Sequence, residues 1–360
     1  MKALIIGGSG FVGGYLAQHL KSLGHETVIT KMPSETTHLA ETTDLKEIAY
    51  LKETTDLKET ANLIKTADLK EAADLIKTAD SIKTTDLIKT PVFGLDILDK
   101  DALSAQLKQI KPDVIFHLAA QSSVAVSWKR PDLTIDVNIK GSMHVLEAVR
   151  RQEKQIRIVL IGSGEEYGKI LEDEIPVSEG QCLRPGNIYA ATKACQNMIG
   201  SIYAQAYGMD VVMVRPFNHI GPMQAPLFAV SDFCKQAAEI EAGKREAVIK
   251  TGNLDIKRDF TDVRDVVCAY ALLAEKGKAG ETYNVGSGHA VSIREILKIV
   301  LECSTANIHI ETDRKKYRPS DVPVMEADIH KIQKLTGWAP KIPLYQSVRE
   351  TLDSWRSAVC

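Results

Sequence analysis

The stretch KALIIGGSGFVGG, residues 2–14, decides how the rest of the chain is read. "KALII" has the length and apolar content of a short buried strand, and "GGSGFVGG" ends it before any helical period can develop. Gly7, Gly10 and Gly13 fall in a G-x-x-G-x-x-G spacing. Only glycine lets a backbone turn this tightly and come close to a pyrophosphate, whose charge then rests on the N-terminus of the next helix. "YLAQHLKSLG" supplies that helix, amphipathic and ending on glycine, and "HETVIT" reads as a second strand. Strand, glycine turn, helix, strand is the opening of a doubly wound parallel sheet that holds a dinucleotide.

The alternation continues along the chain. "DVIFHLAA", "IRIVLIGS" and "DVVMVRP" read as strands, with "NIKGSMHVLEAVRR" and "YAATKACQNMIGSIYAQAYG" as helices between and after them. The fold class is therefore α/β, a parallel Rossmann sheet. Residues 1–176 are expected to form the dinucleotide-binding domain. Residues 177–360 are expected to be mainly a smaller substrate domain, with 187–216 and 259–275 returning to the Rossmann core. Beyond "DVVMVRP" glycine and proline punctuate the pattern, as a smaller C-terminal part requires.

One segment interrupts this order. Residues 42–89 are eight tandem hexads, from TTDLKE to TTDLIK. Six residues carry a leucine about 240° round a helix, so no single apolar face forms. The segment reads as a polar surface excursion, partly helical or disordered, and the sheet resumes at "PVFGLDI".

Composition narrows the class further. With 360 residues the chain can bury one large or two modest cores, and its net charge of −2 comes with basic residues spread along its length. Neither a nucleic-acid stripe nor a membrane face is present. Cys182, Cys195, Cys234, Cys268, Cys303 and Cys360 lie far apart without a CxxC, which points to reduced thiols rather than a disulfide framework or a metal site. The apolar start is too short for a signal peptide or a bilayer span, so a soluble, cytoplasmic protein is expected.

The second strand ends without an acid. "VITKMPSE" offers Thr30 and Lys31, where an Asp or Glu would bind the adenosine ribose and repel a 2′-phosphate. A hydroxyl and a lysine favour NADP(H), with NAD(H) the alternative.

In "NIYAATKACQ", Tyr189 and Lys193 lie four apart on a helix and share a face. An ammonium beside a phenol stabilises phenolate and draws the tyrosine pKa down, which suits proton transfer at a sugar hydroxyl or ketone. Ahead of this pair, "IGSGEEYGKI" (161–170) places Ser163 at the end of a strand and Glu165 two residues on. Whether Glu165 takes a proton from carbon or merely neighbours Ser163 separates water elimination from ketone reduction.

On these residues the chain resembles the extended short-chain dehydrogenase/reductase family over nearly everything outside residues ~34–90. "GGSGFVG", "HLAA" at 117–120, Asn138, Ser163 and Tyr189/Lys193 meet the family pattern. "IGSGEEYG", "RPFNHIGPMQ", "GNLDIKRDFTDVRD" and "RPSDVP" make it most similar to the reductases of GDP-4-keto-6-deoxy-mannose, which form GDP-D-rhamnose; the GDP-mannose 4,6-dehydratases share several of these markers. The resemblance implies cofactor contacts at Gly7, Gly10, Phe11, Val12, Gly13, Thr30, Lys31, Asp96, Ile97, Leu118, Ala119, Ala120, Tyr189 and Lys193. It implies that Ser163 bonds the sugar O4, that Tyr189 protonates that oxygen, and that Lys193 holds the nicotinamide ribose. Asn218 then contacts the nucleotide-sugar, Arg258 and Arg318 clamp the diphosphate with Lys235 nearby, and Asp321 accepts from a ribose hydroxyl. A GDP-linked sugar as substrate and a homodimer follow from the same likeness.

Three features favour reduction over elimination. Ser163 stands where the dehydratases usually carry threonine. Gly164 lacks the hydroxyl or carboxylate an eliminating enzyme would place there. "FNHIGP" matches the reductase form better. Gly164 also departs from the serine usual in the reductases. The expected reaction is hydride transfer to a C4 ketone, with GDP-mannose dehydration, or a bifunctional enzyme that carries out both steps, as the alternative and a non-catalytic dinucleotide sensor as a third reading.

Overall fold

The computed structural model describes residues 1–33, 90–313 and 322–359. The hexad repeat, Arg318 and Asp321 lie outside the described residues.

Seven strands form one parallel sheet. They are β1 (Lys2–Ile6), β2 (Glu26–Lys31), β3 (Val92–Gly94), β4 (Val114–His117), β5 (Arg157–Ile161), β6 (Val211–Pro216) and β10 (Thr282–Val285). Their order is β10-β6-β5-β4-β1-β2-β3, so the chain runs outward from β1 in one direction and then returns to build the other half. A ligand-binding crevice lies at such a reversal, beyond the carboxyl ends of the strands. Strand β3 follows the repeat and pairs with β2 from Ile29↔Val92 to Lys31↔Gly94, so the sheet does resume where "PVFGLDI" begins.

Alternate residues of each strand feed opposite faces. Ala3, Ile5, Val159, Ile161, Val212 and Val214 join one core with helix α1 (Phe11–Ser22) and helix α8 (Val263–Lys276). Leu4, Ile6, Ile158, Leu160, Val211 and Met213 join the other, under α2 (Lys100–Ile110), α5 (Ser142–Arg150) and α6 (Ile188–Tyr207). Burial on both faces explains why these strands read as unbroken apolar runs.

Between β4 and α5 the sequence pattern suggested one helix from residue 138. The structure has two short helices, α3 (Val124–Lys129) and α4 (Pro131–Ile135), and then a π-helical turn, Asp136–Gly141, before α5. The wide turn places Asn138, fully buried, against another part of the chain: its Oδ1 accepts from Gln121 N at 2.8 Å and its Nδ2 donates to Gln121 O at 3.0 Å. Periodicity cannot show a turn set by such a distant partner.

The C-terminal layer contains α7 (Ala229–Glu241), α9 (Ile293–Cys303) and α11 (Leu344–Val359) around a third core that includes Phe233, Ile296, Leu352 and Trp355. Its small sheet is β11 (Ala290–Ser292), β9 (Lys257–Asp262) and β13 (Val324–Met325), with β7 (Asn218–Ile220) also on β9. Strand β10 lies later in sequence than the 259–275 segment with which the sequence reading ended the return to the large sheet.

Candidate active site

At the glycine turn the backbone makes the site. Gly7 has φ +84°, and a Cβ there would lie 2.7 Å from Ala119 N. A Cβ on Gly13 would lie 2.5 Å from the Cα of Gly8, so the first turn of α1 rests directly on the loop. Gly10 differs. Its nearest neighbour to an added Cβ is Gly7 O at 3.5 Å, so protein packing does not demand glycine there. Gly10 caps α1 with no side-chain hydrogen bond, and the first turn of the helix carries no acid. An open helix N-terminus reached over a residue without a side chain fits a dinucleotide pyrophosphate.

Thr30 and Lys31 separate on inspection. Thr30 is 1% exposed and its Oγ1 accepts from Gly7 N at 3.1 Å, so the hydroxyl supports the turn from beneath. Lys31, at the end of β2, is exposed. Leu118 N and Ala119 N both donate to Ile6 O at 2.9 Å, which lays the "HLAA" segment beside the turn. Phe11 and Val12 pack on the first core, and buried Ile97 leaves no room for a side chain at Gly141. Asp96 is half-buried and accepts from Leu98 N at 2.9 Å.

The tyrosine–lysine corner is made by side chains. Asn187 caps α6 by accepting from Ala190 N at 2.8 Å, which sets Tyr189 in the first turn and Lys193 in the next. Ser163 follows β5 and caps a short turn, Gly164–Tyr167, through a capping box whose second member is Glu166. Tyr189 is hydrogen-bonded to Ser163. Lys193 is 3% exposed and donates to Ile161 O at 2.7 Å and to Gln196 Oε1 at 3.1 Å.

This arrangement corrects one expectation. The lysine was to draw the Tyr189 pKa down, yet burial pushes it up; the Ser163 hydrogen bond opposes that shift, while the charges of Glu165 and Glu166 add to it. The Lys193 ammonium is turned to the strand carbonyl and Gln196. Burial lowers its own pKa to about 8, against a raising contribution from Glu166. Tyr189 therefore holds its proton as an acid in the protein alone.

Of the two adjacent glutamates, Glu166 is the committed one. It is fully buried, accepts from Ser163 N at 2.8 Å and Asn197 Nδ2 at 2.8 Å, and pairs with Arg215 Nε at 2.8 Å. Burial raises its carboxyl pKa while Arg215 works against the rise. Arg215 also lies over the Tyr167 ring, 4.8 Å from its centroid. Glu165 is half-buried and is reached by Asn187 Nδ2 at 3.4 Å. A Cβ on Gly164 would lie 3.1 Å from the Phe217 ring, which would have to give by a few tenths of an ångström.

The residues expected on the substrate side are dispersed. Asn218 begins β7, half-buried and paired with Phe260. Its neighbour His219 stacks on Phe11, with centroids 6.2 Å apart at 12°, so the strand after "RPF" rests against the glycine-turn helix. Arg258 is 8% exposed and its Nη1 donates to Lys257 O at 2.9 Å and Val322 O at 2.7 Å. Lys235 lies along α7, 3.7 Å from Glu239 and over the Trp355 ring. The sequence reading did not name Glu166, Arg215, Asn187 or Gln196. The S-x-x-E spacing of Ser163 and Glu166 was the available signal for the first.

With the turn and the corner described, relatives can be placed. The family model for GDP-mannose 4,6 dehydratase matches residues 83–351. The chain belongs to the GDP-mannose 4,6-dehydratase family. Within it, the chain is similar to GDP-6-deoxy-D-mannose reductase of Pseudomonas aeruginosa, 31% identical over 264 residues, or 73% of this chain and 86% of the relative. It is also similar to GDP-mannose 4,6 dehydratase 1 of Arabidopsis thaliana, 30% identical over 72% of each chain. Among solved structures, RMD from Pseudomonas aeruginosa complexed with NADPH aligns with a TM-score of 0.77 at 26% identity, covering 99% of this chain and 100% of that one. UDP-glucose 4-epimerase of Thermus thermophilus, complexed with NAD, aligns with the same score and the same identity and coverage. This member of the dehydratase family is thus an extended short-chain dehydrogenase/reductase in fold.

Proposed function

We propose that the chain reduces the C4 ketone of GDP-4-keto-6-deoxy-D-mannose with NADPH, giving GDP-D-rhamnose. The observation that carries this reading is a buried, protonated Tyr189 hydrogen-bonded to Ser163. When a carbonyl accepts hydride, negative charge grows on its oxygen, and donors aimed at that oxygen lower the barrier. Ser163 bonds O4 and Tyr189 gives O4 its proton. Lys193, charged below about pH 8, holds the nicotinamide ribose. Bound NADPH supplies the hydride. Lys31 faces solvent where a 2′-phosphate of the cofactor would lie, and Gly7, Gly10 and Gly13 receive the pyrophosphate.

Asn218, Lys235, Arg258, Arg318 and Asp321 are proposed for the GDP-sugar. Arg258 ties the backbone at Val322 to β9. Residues 1–176 are proposed as the cofactor domain and 177–360 mainly as the substrate domain.

A second reading, dehydration of GDP-mannose, has one observation in its favour: Glu165 is only loosely held, and its charge is felt by Tyr189. A carboxylate so placed could take a carbon proton. Gly164, packed on Phe217, brings no partner acid for the departing hydroxyl. Two parallel reactions of purified protein test the choice, with products identified by mass and NMR. GDP-mannose with NADP⁺ is expected to stay intact, while GDP-4-keto-6-deoxy-mannose with NADPH is expected to gain two hydrogens. Loss of water from GDP-mannose would overturn the first reading and make Glu165 the base.

We also propose a cytoplasmic homodimer. Its support is the apolar surface of Met198, Ile202 and Tyr207 on α6 with Ile135 and Met143, all exposed in the single chain. A solution mass near 39.6 kDa by light scattering would count against the dimer. Among the described residues no helix is long and apolar enough to cross a membrane. Recovery in the membrane or secreted fraction would count against the location.

A further inference from the structure

Behind Lys193 runs a chain of buried polar side chains that the reaction above does not use. His117 Nε2 lies 2.9 Å from Ser142 Oγ. The Ser142 hydroxyl in turn lies 2.7 Å from Asn138 O and 3.2 Å from Gln196 Oε1. Gln196 Nε2 donates to Ile161 O at 2.9 Å, and Lys193 Nζ donates to Gln196 Oε1 at 3.1 Å. His117, Asn138, Ser142 and Gln196 are each 1% exposed or less.

Donor counting sets every orientation. Serine has one proton, and here two carbonyl-type oxygens stand ready to share it, so His117 must donate from Nε2. That leaves Nδ1 bare, and among the described residues it has no partner. Gln196 cannot be reversed, because its NH₂ would then face both an ammonium and the serine proton. Lys193 has three protons. One goes to Ile161 O and one to Gln196 Oε1.

We propose that Gln196, held by Ser142 and His117, is a positioning residue that fixes the Lys193 ammonium so that its third proton is left for the nicotinamide ribose. The inference rests on the dinucleotide reading but not on the identity of the sugar. Glu166, on the turn after β5 and paired with Arg215 on β6, bears on Lys193 with its charge, while His117 on β4 and Tyr189 one turn earlier on α6 are uncharged near neutral pH. An acceptor bonded to an ammonium favours its charged form, so Gln196 supports the charge that burial opposes.

The test is NADPH binding by the full chain, followed through nicotinamide fluorescence from pH 6 to 9.5 with no sugar present. Gln196→Met removes the acceptor and keeps the volume. It is expected to weaken NADPH about tenfold, the loss of one charge-assisted hydrogen bond, and to move the alkaline loss of binding about one unit lower. Gln196→Glu keeps an acceptor for Lys193 and adds charge but sets its second oxygen against Ile161 O, so it is expected to melt earlier than the parent while moving the alkaline loss of binding upward. A Gln196→Met protein that melts earlier yet binds NADPH with the parent's affinity and pH limb overturns the proposal, since a packing role alone predicts that result. Should that variant not fold, Ser142→Ala breaks the same chain one link back and is expected to shift the limb in the same direction; an unmoved limb there also overturns it. Normal binding shifts with no turnover of the keto sugar would instead count against the proposed reaction.

Discussion

At the glycine turn the geometry is set by backbone: Gly7 bends, Gly13 lets the helix settle on the loop, and a Cβ on Gly10 would meet only Gly7 O, at 3.5 Å. At the tyrosine–lysine corner, one strand away, the work falls to side chains from four distant segments. Ser163 and Glu166 follow β5, Arg215 ends β6, Lys193 and Gln196 ride on α6, and His117 ends β4. Sequence spacing describes the first region because its rules are local. The second depends on which residues the sheet order brings together. A local region should break when a single backbone atom is crowded, and a networked one when a partner is left alone and buried.

The largest expected effect belongs to the networked region. Glu166→Ala removes the partner of buried Arg215 and one acceptor of Asn197. Breaking a buried pair from one side costs about 3–5 kcal/mol. Urea denaturation should show that loss, and the double variant Glu166→Leu with Arg215→Met should recover the part due to the stranded guanidinium, with Ser163 N and Asn197 Nδ2 still left without their acceptor. A Glu166→Ala protein as stable as its parent would mean that water reaches Arg215 and that the corner is not a closed network.

The glycine turn offers the sharper contrast. Gly13→Ala drives a Cβ into the Gly8 backbone and is expected to cost about 2–3 kcal/mol, as overpacking does. Gly10→Ala meets only Gly7 O at an ordinary contact distance of 3.5 Å, so its melting temperature should match the parent's within a degree or two while NADPH binding falls. If both substitutions destabilise equally, Gly10 serves packing and the space above it is not reserved for a pyrophosphate.

The same division explains what could be read from the sequence. The alternating parallel sheet, the Tyr189–Lys193 helix and the position of Ser163 at a strand end all follow from periodicity within short windows. The π-helical turn at Asn138 does not, because its cause is Gln121, 17 residues away. The sign of the Tyr189 shift was also hidden. Four-residue spacing shows that a phenol and an ammonium share a face, but the direction of the ammonium depends on Ile161 and Gln196. Glu165 drew attention for standing two residues after Ser163, while Glu166 holds the backbone of Ser163.

The smallest effect tests the far end of the network through acid stability. Burial lowers the His117 pKa from 6.5 to about 3, with the charge of Lys193 adding to it. Below pH 6.5 the unfolded chain takes a proton that the folded chain refuses, so stability falls between about 6.5 and 3 as pH drops. At pH 5 this amounts to about 2 kcal/mol relative to neutral pH. His117→Gln keeps a donor for Ser142 and removes the titration. Its stability should therefore change less between pH 7 and 5 than the parent's, by about that amount. Equal slopes would show that His117 can be protonated in place, which requires an acceptor at Nδ1. Water entering beside β4 would supply one, and the closed corner would then differ from the open turn in residue content alone, not in access to solvent.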